Sequence, residues 1–213
     1  MFHKSSIISV SAKIDKSTSI GPFCVIGDDV IIGKNNKLIS HVSITGNTII
    51  EDNNTFFPFS SIGSDPQDLK YDSEKSFLKI GSNNKFRENV TVNPGTSGGG
   101  LNTIIHNNCL FMVGSHIAHD CIVGDNIVMA NQATLGGHVI VEDNAIIGGL
   151  SGIHQFCRIG SLSMIGGLSA VENDVVPFGL VIGNRAKLLG LNMVGLRRAN
   201  YSNKMIMEFK DIF

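Results

Sequence analysis

Apolar residues recur along this chain at every sixth position. From Ile8 the series runs through Ile14, Ile20, Ile26, Ile32, Leu38, Ile44, Ile50 and Phe56 to Ile62. The same phase resumes at Ile80, Phe86 and Val92, then restarts at Ile105 and continues through Phe111, Ile117, Val123, Met129 and Leu135 as far as Val171. No polar residue interrupts it. Two positions earlier the side chain is usually small, as at Thr18, Cys24, Ser60, Ser115, Ala133 and Ser151, and the residue after is often Gly. A period of six matches neither a 3.6-residue helix nor the two-residue alternation of a plain strand. It matches a parallel β-helix, in which short strands meet at corners and successive coils stack.

The aliphatic-Gly-x-x-x-x form of the hexads resembles the left-handed β-helix family, with three hexads to a coil. The expected fold is therefore all-β: a left-handed parallel β-helix of about eight coils over residues 1–185, on the order of 40 Å long at ~4.8 Å per coil. Two stretches leave the frame. The first, "SDPQDLKYDSEKSFLK" (64–79), is polar and keeps the coil phase. The second, "NPGTSGGGLNT" (93–103), shifts the spacing, and its glycines suggest a flexible excursion; no Gly-Lys-Ser/Thr follows that would make it a phosphate cradle. Beyond Val171 the hexads fade. From about Ala186 the spacing of Leu189, Met193 and Leu196 predicts a short α-helical appendage over 186–213. Ser202 is an expected N-cap, leading to Met205, Ile206 and Phe209. Apolar residues are still arriving at Phe213, which predicts an appendage cut short or buried on a neighbouring subunit.

Composition sharpens this picture in three places. Among 213 residues charged side chains make up 16% and the formal net charge is −1, so neither nucleic acid nor an anionic membrane is an expected partner. No apolar run approaches the ~20 residues of a membrane span, and the first residues lack the long apolar stretch of a signal peptide. A cytosolic protein is expected. Cys24, Cys109, Cys121 and Cys157 all occupy the small inward slot of a hexad, which favours buried hydrophobes over metal or redox chemistry and predicts no disulfide.

The candidate chemistry is concentrated in "GSHIAHDC" (114–121). Residues three hexads apart lie one above another on the same face, as Ile117, Leu135 and Ile153 do. Beside that column sit His116 and His119, then Gly137 and His138, then His154 and Gln155, gathering four of the seven histidines near Asp120. One coil offers only a shallow wall, so a deep pocket needs a second chain alongside, which favours a cyclic oligomer such as a trimer. Two chemistries fit the cluster. Three histidines from adjacent coils could hold Zn²⁺ with an open position, as in γ-class carbonic anhydrases. A neutral histidine could instead act as general base on an alcohol.

"DLKY" (68–71), "HIAHDC" (116–121), "IVEDNAIIGG" (140–149), "HQFC" (154–157) and "GLRR" (195–198) closely resemble the acyl-carrier-protein–UDP-N-acetylglucosamine O-acyltransferases, collinearly across nearly the whole chain. The resemblance implies a homotrimer, with active sites between neighbouring subunits, that starts lipid A synthesis by moving a 3-hydroxyacyl chain from acyl carrier protein to the sugar 3-hydroxyl. It implies His119 as general base, Asp120 as its helper, and the Gly137 N–H as a donor to the developing oxyanion. Asp68, Lys70, His116, His138, His154 and Gln155 match substrate-binding positions. Gly167 matches the position limiting acyl-chain depth, and Arg198 a basic residue near the nucleotide phosphates and the carrier protein. No metal or cofactor is implied; the phosphopantetheine thioester of the carrier protein is a co-substrate.

The chain also departs from the family. Val194 stands where an acidic residue is usual and Ala199 replaces a second basic one, and the segment after the β-helix is short, so docking of the carrier protein is expected to be weakened or rebuilt. Three alternatives remain open on the sequence: amide formation on a 3-amino analogue of the sugar, a zinc-dependent hydro-lyase, and a trimer that binds without turnover.

Overall fold

The computed structural model describes residues 1–212. The chain winds as a left-handed parallel β-helix whose strands, mostly two residues long, assemble into three sheets of nine, eight and ten strands. The first face begins at Ile7–Ile8 and ends at Ala170–Val171; the second runs from Lys13–Ile14 to Arg158–Ile159; the third starts at Ser19–Ile20. In each two-residue strand the second residue points inward. Ile26, Ile44, Ile62, Val92, Ile117, Leu135 and Ile153 form one such column, all at most 3% exposed. On the third face Phe56, Phe86 and Phe111 stack with ring centroids 4.8 and 4.9 Å apart.

The corners explain the small slots and the asparagines. Between the second and third faces Asn35, Asn53, Asn83, Asn108, Asn126 and Asn144 adopt positive φ, a conformation whose steric cost Asn tolerates better than most L-residues. Inside that corner runs a buried ladder. Asn36 Oδ1 accepts from Asn54 N, Asn54 Oδ1 from Asn84 N, and Asn84 Oδ1 from Cys109 N, each at 2.8 Å. Their side-chain amides donate to Glu51 O, Gly81 O and His106 O, so these polar groups are satisfied without water. The four cysteines are free and buried in the small slots.

Three sequence expectations need correction. The first excursion is shorter than 64–79, because Phe77–Ile80 is a strand paired with Asn47–Ile50 and with Asn102–Ile105. The second, 93–103, likewise ends in a strand at Asn102, and its beginning is not a flexible excursion: residues 93–96 are buried. The helical segment does not start at Ala186. Lys187–Leu191 pairs antiparallel with Gly179–Ile182 and extends the third face, so Leu189 lies on a strand and is 65% exposed. The open edge of Gly179–Ile182 captures this stretch, overriding a spacing that mimics a helix. The helices are α1 (Met193–Arg198), capped by Asn192, and α2 (Asn203–Ile212), where Ser202 Oγ accepts from Met205 N. They bury Leu196 and Ile206 with Leu191 in a cluster separate from the solenoid core. Phe213 lies outside the described residues. Among these, no helix is long and apolar enough to cross a membrane.

Candidate active site

The corner between the first and second faces carries the chemistry. Both excursions leave it: residues 64–76 follow the strand Ser61–Ile62, and 93–101 follow Thr91–Val92. On the next three coils the same corner presents Asp120, His138 and Phe156, each at positive φ (59°, 63° and 67°). The six-residue register thus stacks them and hangs two loops over the top of the stack.

His119 and Asp120 are 8% and 6% exposed. His119 Nδ1 lies 2.8 Å from Asp120 Oδ2. A carboxylate can only accept, so this contact puts the imidazole proton on Nδ1 and leaves the Nε2 lone pair available as a base. Asp120 is itself held by the second loop: Thr96 N donates to both carboxylate oxygens at 2.9 and 3.1 Å, and Thr96 Oγ1 to Oδ2 at 2.6 Å. The Asp120 backbone N–H donates to Thr103 Oγ1 at 2.8 Å. These bonds offset the cost of burying a carboxylate.

Gly137 is the seat of the histidine ring. A Cβ there would fall 2.5 Å from His119 Cε1 and 2.6 Å from Nε2. Among the described residues the Gly137 N–H donates to no backbone or side-chain group, so it remains available beside Nε2. His138 stands edge-on to His119 at 5.0 Å and stacks on Phe156 at 4.3 Å. Burial pushes the His138 pKa down, against the opposite pull of the Asp120 carboxylate and, more weakly, of Asp68 in the first loop. His116 bonds Thr91 Oγ1 at 2.7 Å, and burial, helped by His119, lowers its pKa as well.

The remaining expected residues fall into two groups. Asp68 is half-buried in the first loop and accepts from Lys70 N at 3.0 Å, while Lys70 is exposed. His154 and Gln155 are exposed one coil below His138. The structure does not bring the other two to this corner. Gly167 is exposed on the corner between the third and first faces, where a Cβ would find Gly149 O at 3.3 Å. Arg198 ends α1, whose N-cap Asn192 is tied to Leu162 O, on the corner between the second and third faces. Among the described residues no three-histidine metal site is formed either. The groups that converge, within 4.8 Å of one another, are His119, Asp120 and His138. His116 Nδ1 is engaged by Thr91, and His154 Nδ1 faces Gln155 O at 3.2 Å.

Sequence reasoning missed Thr96, Thr103 and Glu74. Glu74 joins the two loops: its carboxylate accepts from Ser97 N at 2.8 Å and Asp72 N at 2.9 Å, which holds its pKa down at about 2. Thr96 and Glu74 lie in loops that carry no period, while Thr103 sits in the small slot two residues before Ile105, which marks it as buried but not as a partner of Asp120. Phe156 stood inside "HQFC", and its place three hexads after His138 was the available signal.

Residues 102–137 match the bacterial transferase hexapeptide model and residues 174–213 the second domain of UDP-N-acetylglucosamine O-acyltransferase. The acyl-[acyl-carrier-protein]–UDP-N-acetylglucosamine O-acyltransferase of Thermodesulfovibrio yellowstonii is 52% identical over 99% of this chain and 82% of its own length. That of Rhizobium johnstonii is 42% identical over 99% and 79%. The solved structure of LpxA from Acinetobacter baumannii superposes with a TM-score of 0.97 at 45% identity, covering 99% of this chain and 81% of that one. With the hexapeptide coil, the buried His119–Asp120 pair and these relatives in register over almost every residue, the chain belongs to the acyl-[acyl-carrier-protein]–UDP-N-acetylglucosamine O-acyltransferase family.

Proposed function

We propose that this chain transfers a 3-hydroxyacyl group from acyl carrier protein to the 3-hydroxyl of UDP-N-acetylglucosamine, the first step of lipid A biosynthesis. The observation that carries the reading is the polarised His119: Nδ1 bound to a buried carboxylate, Nε2 free and seated against Gly137. In this reading Nε2 takes the proton from the sugar hydroxyl as its oxygen attacks the thioester carbonyl. The Gly137 N–H stabilises the negative charge that develops on the carbonyl oxygen. Collapse of the tetrahedral intermediate expels the pantetheine thiolate, which recovers the proton from the imidazolium. Asp120 fixes the tautomer and stabilises that imidazolium. A thioester needs no protein nucleophile here, since the sugar brings its own. His116 and His138, kept neutral by burial, offer hydrogen bonds to the sugar without competing for the transferred proton. Asp68, Lys70, His154 and Gln155 border the same corner and serve substrate binding.

The reading includes a homotrimer, supported by the placement of Gly167 and Arg198 on corners other than that of His119. A neighbouring subunit's copies of them would complete the site. The first face suits such packing. Its outward residues, Ile7, Val25, Ser43, Ser61, Thr91, His116, Thr134, Gly152 and Ala170, include no Lys, Arg, Asp or Glu. A cytoplasmic location is part of the proposal and is supported by four free, buried thiols.

The test is acyl transfer from 3-hydroxyacyl carrier protein to UDP-N-acetylglucosamine by the EDTA-treated protein and by His119→Ala. Turnover that survives the chelator and falls by about 10³-fold or more in the variant supports a histidine base. Metal-dependent turnover, or a product formed only from a 3-amino sugar, overturns it.

A further inference from the structure

We propose that Thr96 is a positioning residue that fixes Asp120 and, through it, the orientation and tautomer of the base His119; this rests on the function proposed above. Thr96 is 3% exposed and gives the Asp120 carboxylate two donors, its backbone N–H and its hydroxyl. The hydroxyl chooses Oδ2, the same oxygen that receives His119 Nδ1. That oxygen is therefore held from two sides, and the carboxylate plane has no freedom to rotate away from the imidazole.

The loop around Thr96 is built to keep it there. Thr96 O accepts from Gly99 N at 3.1 Å and from Leu101 N at 2.9 Å, which closes a tight turn. The chain then passes directly over the carboxylate, since a Cβ on Gly99 would lie 2.0 Å from Asp120 Cγ. Gly95 fits equally closely, with a Cβ falling 2.1 Å from Asn102 N. The neighbouring Ser97 N–H donates to Glu74 at 2.8 Å, so the loop that carries Asp68 and Lys70 grips the turn that holds Asp120. One string of hydrogen bonds thus runs from the first loop through 96–97 to the imidazole. The Gly-rich stretch serves close approach rather than mobility.

The isosteric variant Thr96→Val keeps the backbone donor and removes the hydroxyl. Its expected effect is a fall in kcat of about 10- to 100-fold, with KM for both substrates within about twofold. Thr96→Ser restores most of the rate. In an Asp120→Asn background Thr96→Val costs nothing further, because the group it positions is already disabled. Thr96→Ala gives the same reading if the valine variant does not fold. A second readout does not need turnover. The downfield proton of the carboxylate-bound imidazole N–H, assigned by its loss in His119→Ala, is expected in the unaltered protein and in Thr96→Ser, and broadened or lost in Thr96→Val. Wild-type kcat in Thr96→Val, a loss confined to KM, or an unchanged downfield proton overturns the proposal. A chain with the proton pattern but no turnover overturns the functional reading alone.

Discussion

Gly137 has only a hydrogen where any other residue would put a methyl group into the His119 ring. Gly137→Ala therefore has to move the base, the peptide carrying the candidate oxyanion donor, or both. A displacement of about 1 Å is enough to cost 10²-fold in rate. The expected outcome is a kcat reduced by at least that factor in a protein whose thermal midpoint stays near that of the unaltered chain, read by steady-state acyl transfer and circular dichroism. The histidines were legible in the sequence because they ride on the hexad phase, which converts spacing into height along one corner. Their roles were not legible. Which nitrogen of His119 is free follows from Asp120, and Asp120 is held by Thr96, a residue in an aperiodic loop whose partner lies on the next coil.

At the scale of a single element, the asparagine ladder shows how a β-helix carries polar atoms in its interior. Asn54 accepts from the rung above and donates to a corner carbonyl. Asn54→Ala leaves Asn84 N and Gly81 O without their partners in a region closed to water. At about 1–3 kcal/mol for each stranded group, the loss of unfolding free energy is expected to be about 2–6 kcal/mol by denaturant titration. The hexad phase puts Asn36, Asn54 and Asn84 in the inward slot two residues before Leu38, Phe56 and Phe86, but it does not show the ladder, since the amide and carbonyl each one meets belong to neighbouring coils. The opposite failure occurs at Lys187–Leu191. There the residue pattern is local and helical, and the strand it forms depends on an edge offered by Gly179–Ile182. A bulge between Leu180 and Val181 accommodates it, an irregularity that periodicity does not encode.

For the whole molecule, acid is the expected weak point. Burial lowers the His116 and His138 pKa values from their ordinary 6.5 in the fold. The unfolded chain then takes up those protons first, so stability present above pH 6.5 declines as the pH falls below it. Glu74, held at about 2 against an ordinary 4.5 by the Ser97 and Asp72 N–H groups, adds a second loss between pH 4.5 and 2. Thermal midpoints measured from pH 8 to pH 3 should fall in both windows, and Glu74→Gln should flatten only the lower one. A profile that is level from pH 7 to pH 5 would show that the two histidines are not neutralised by the fold. The fold class was the most legible feature at this scale, because a period of six repeated over the chain is satisfied by few architectures.

Ile62 lies beside Val92, and Val92 beside Ile117, although a loop separates the members of each pair. The scaffold counts turns, not residues. Lengthening the connection between two strands leaves the next coil where it was, and closing a longer loop costs only about 0.6 kcal/mol per doubling of its length. The corner above His119 is thus an insertion port. Loops of new length and chemistry can be spliced in above a wall whose pitch they do not alter, and substrate choice can diverge while the base stays fixed.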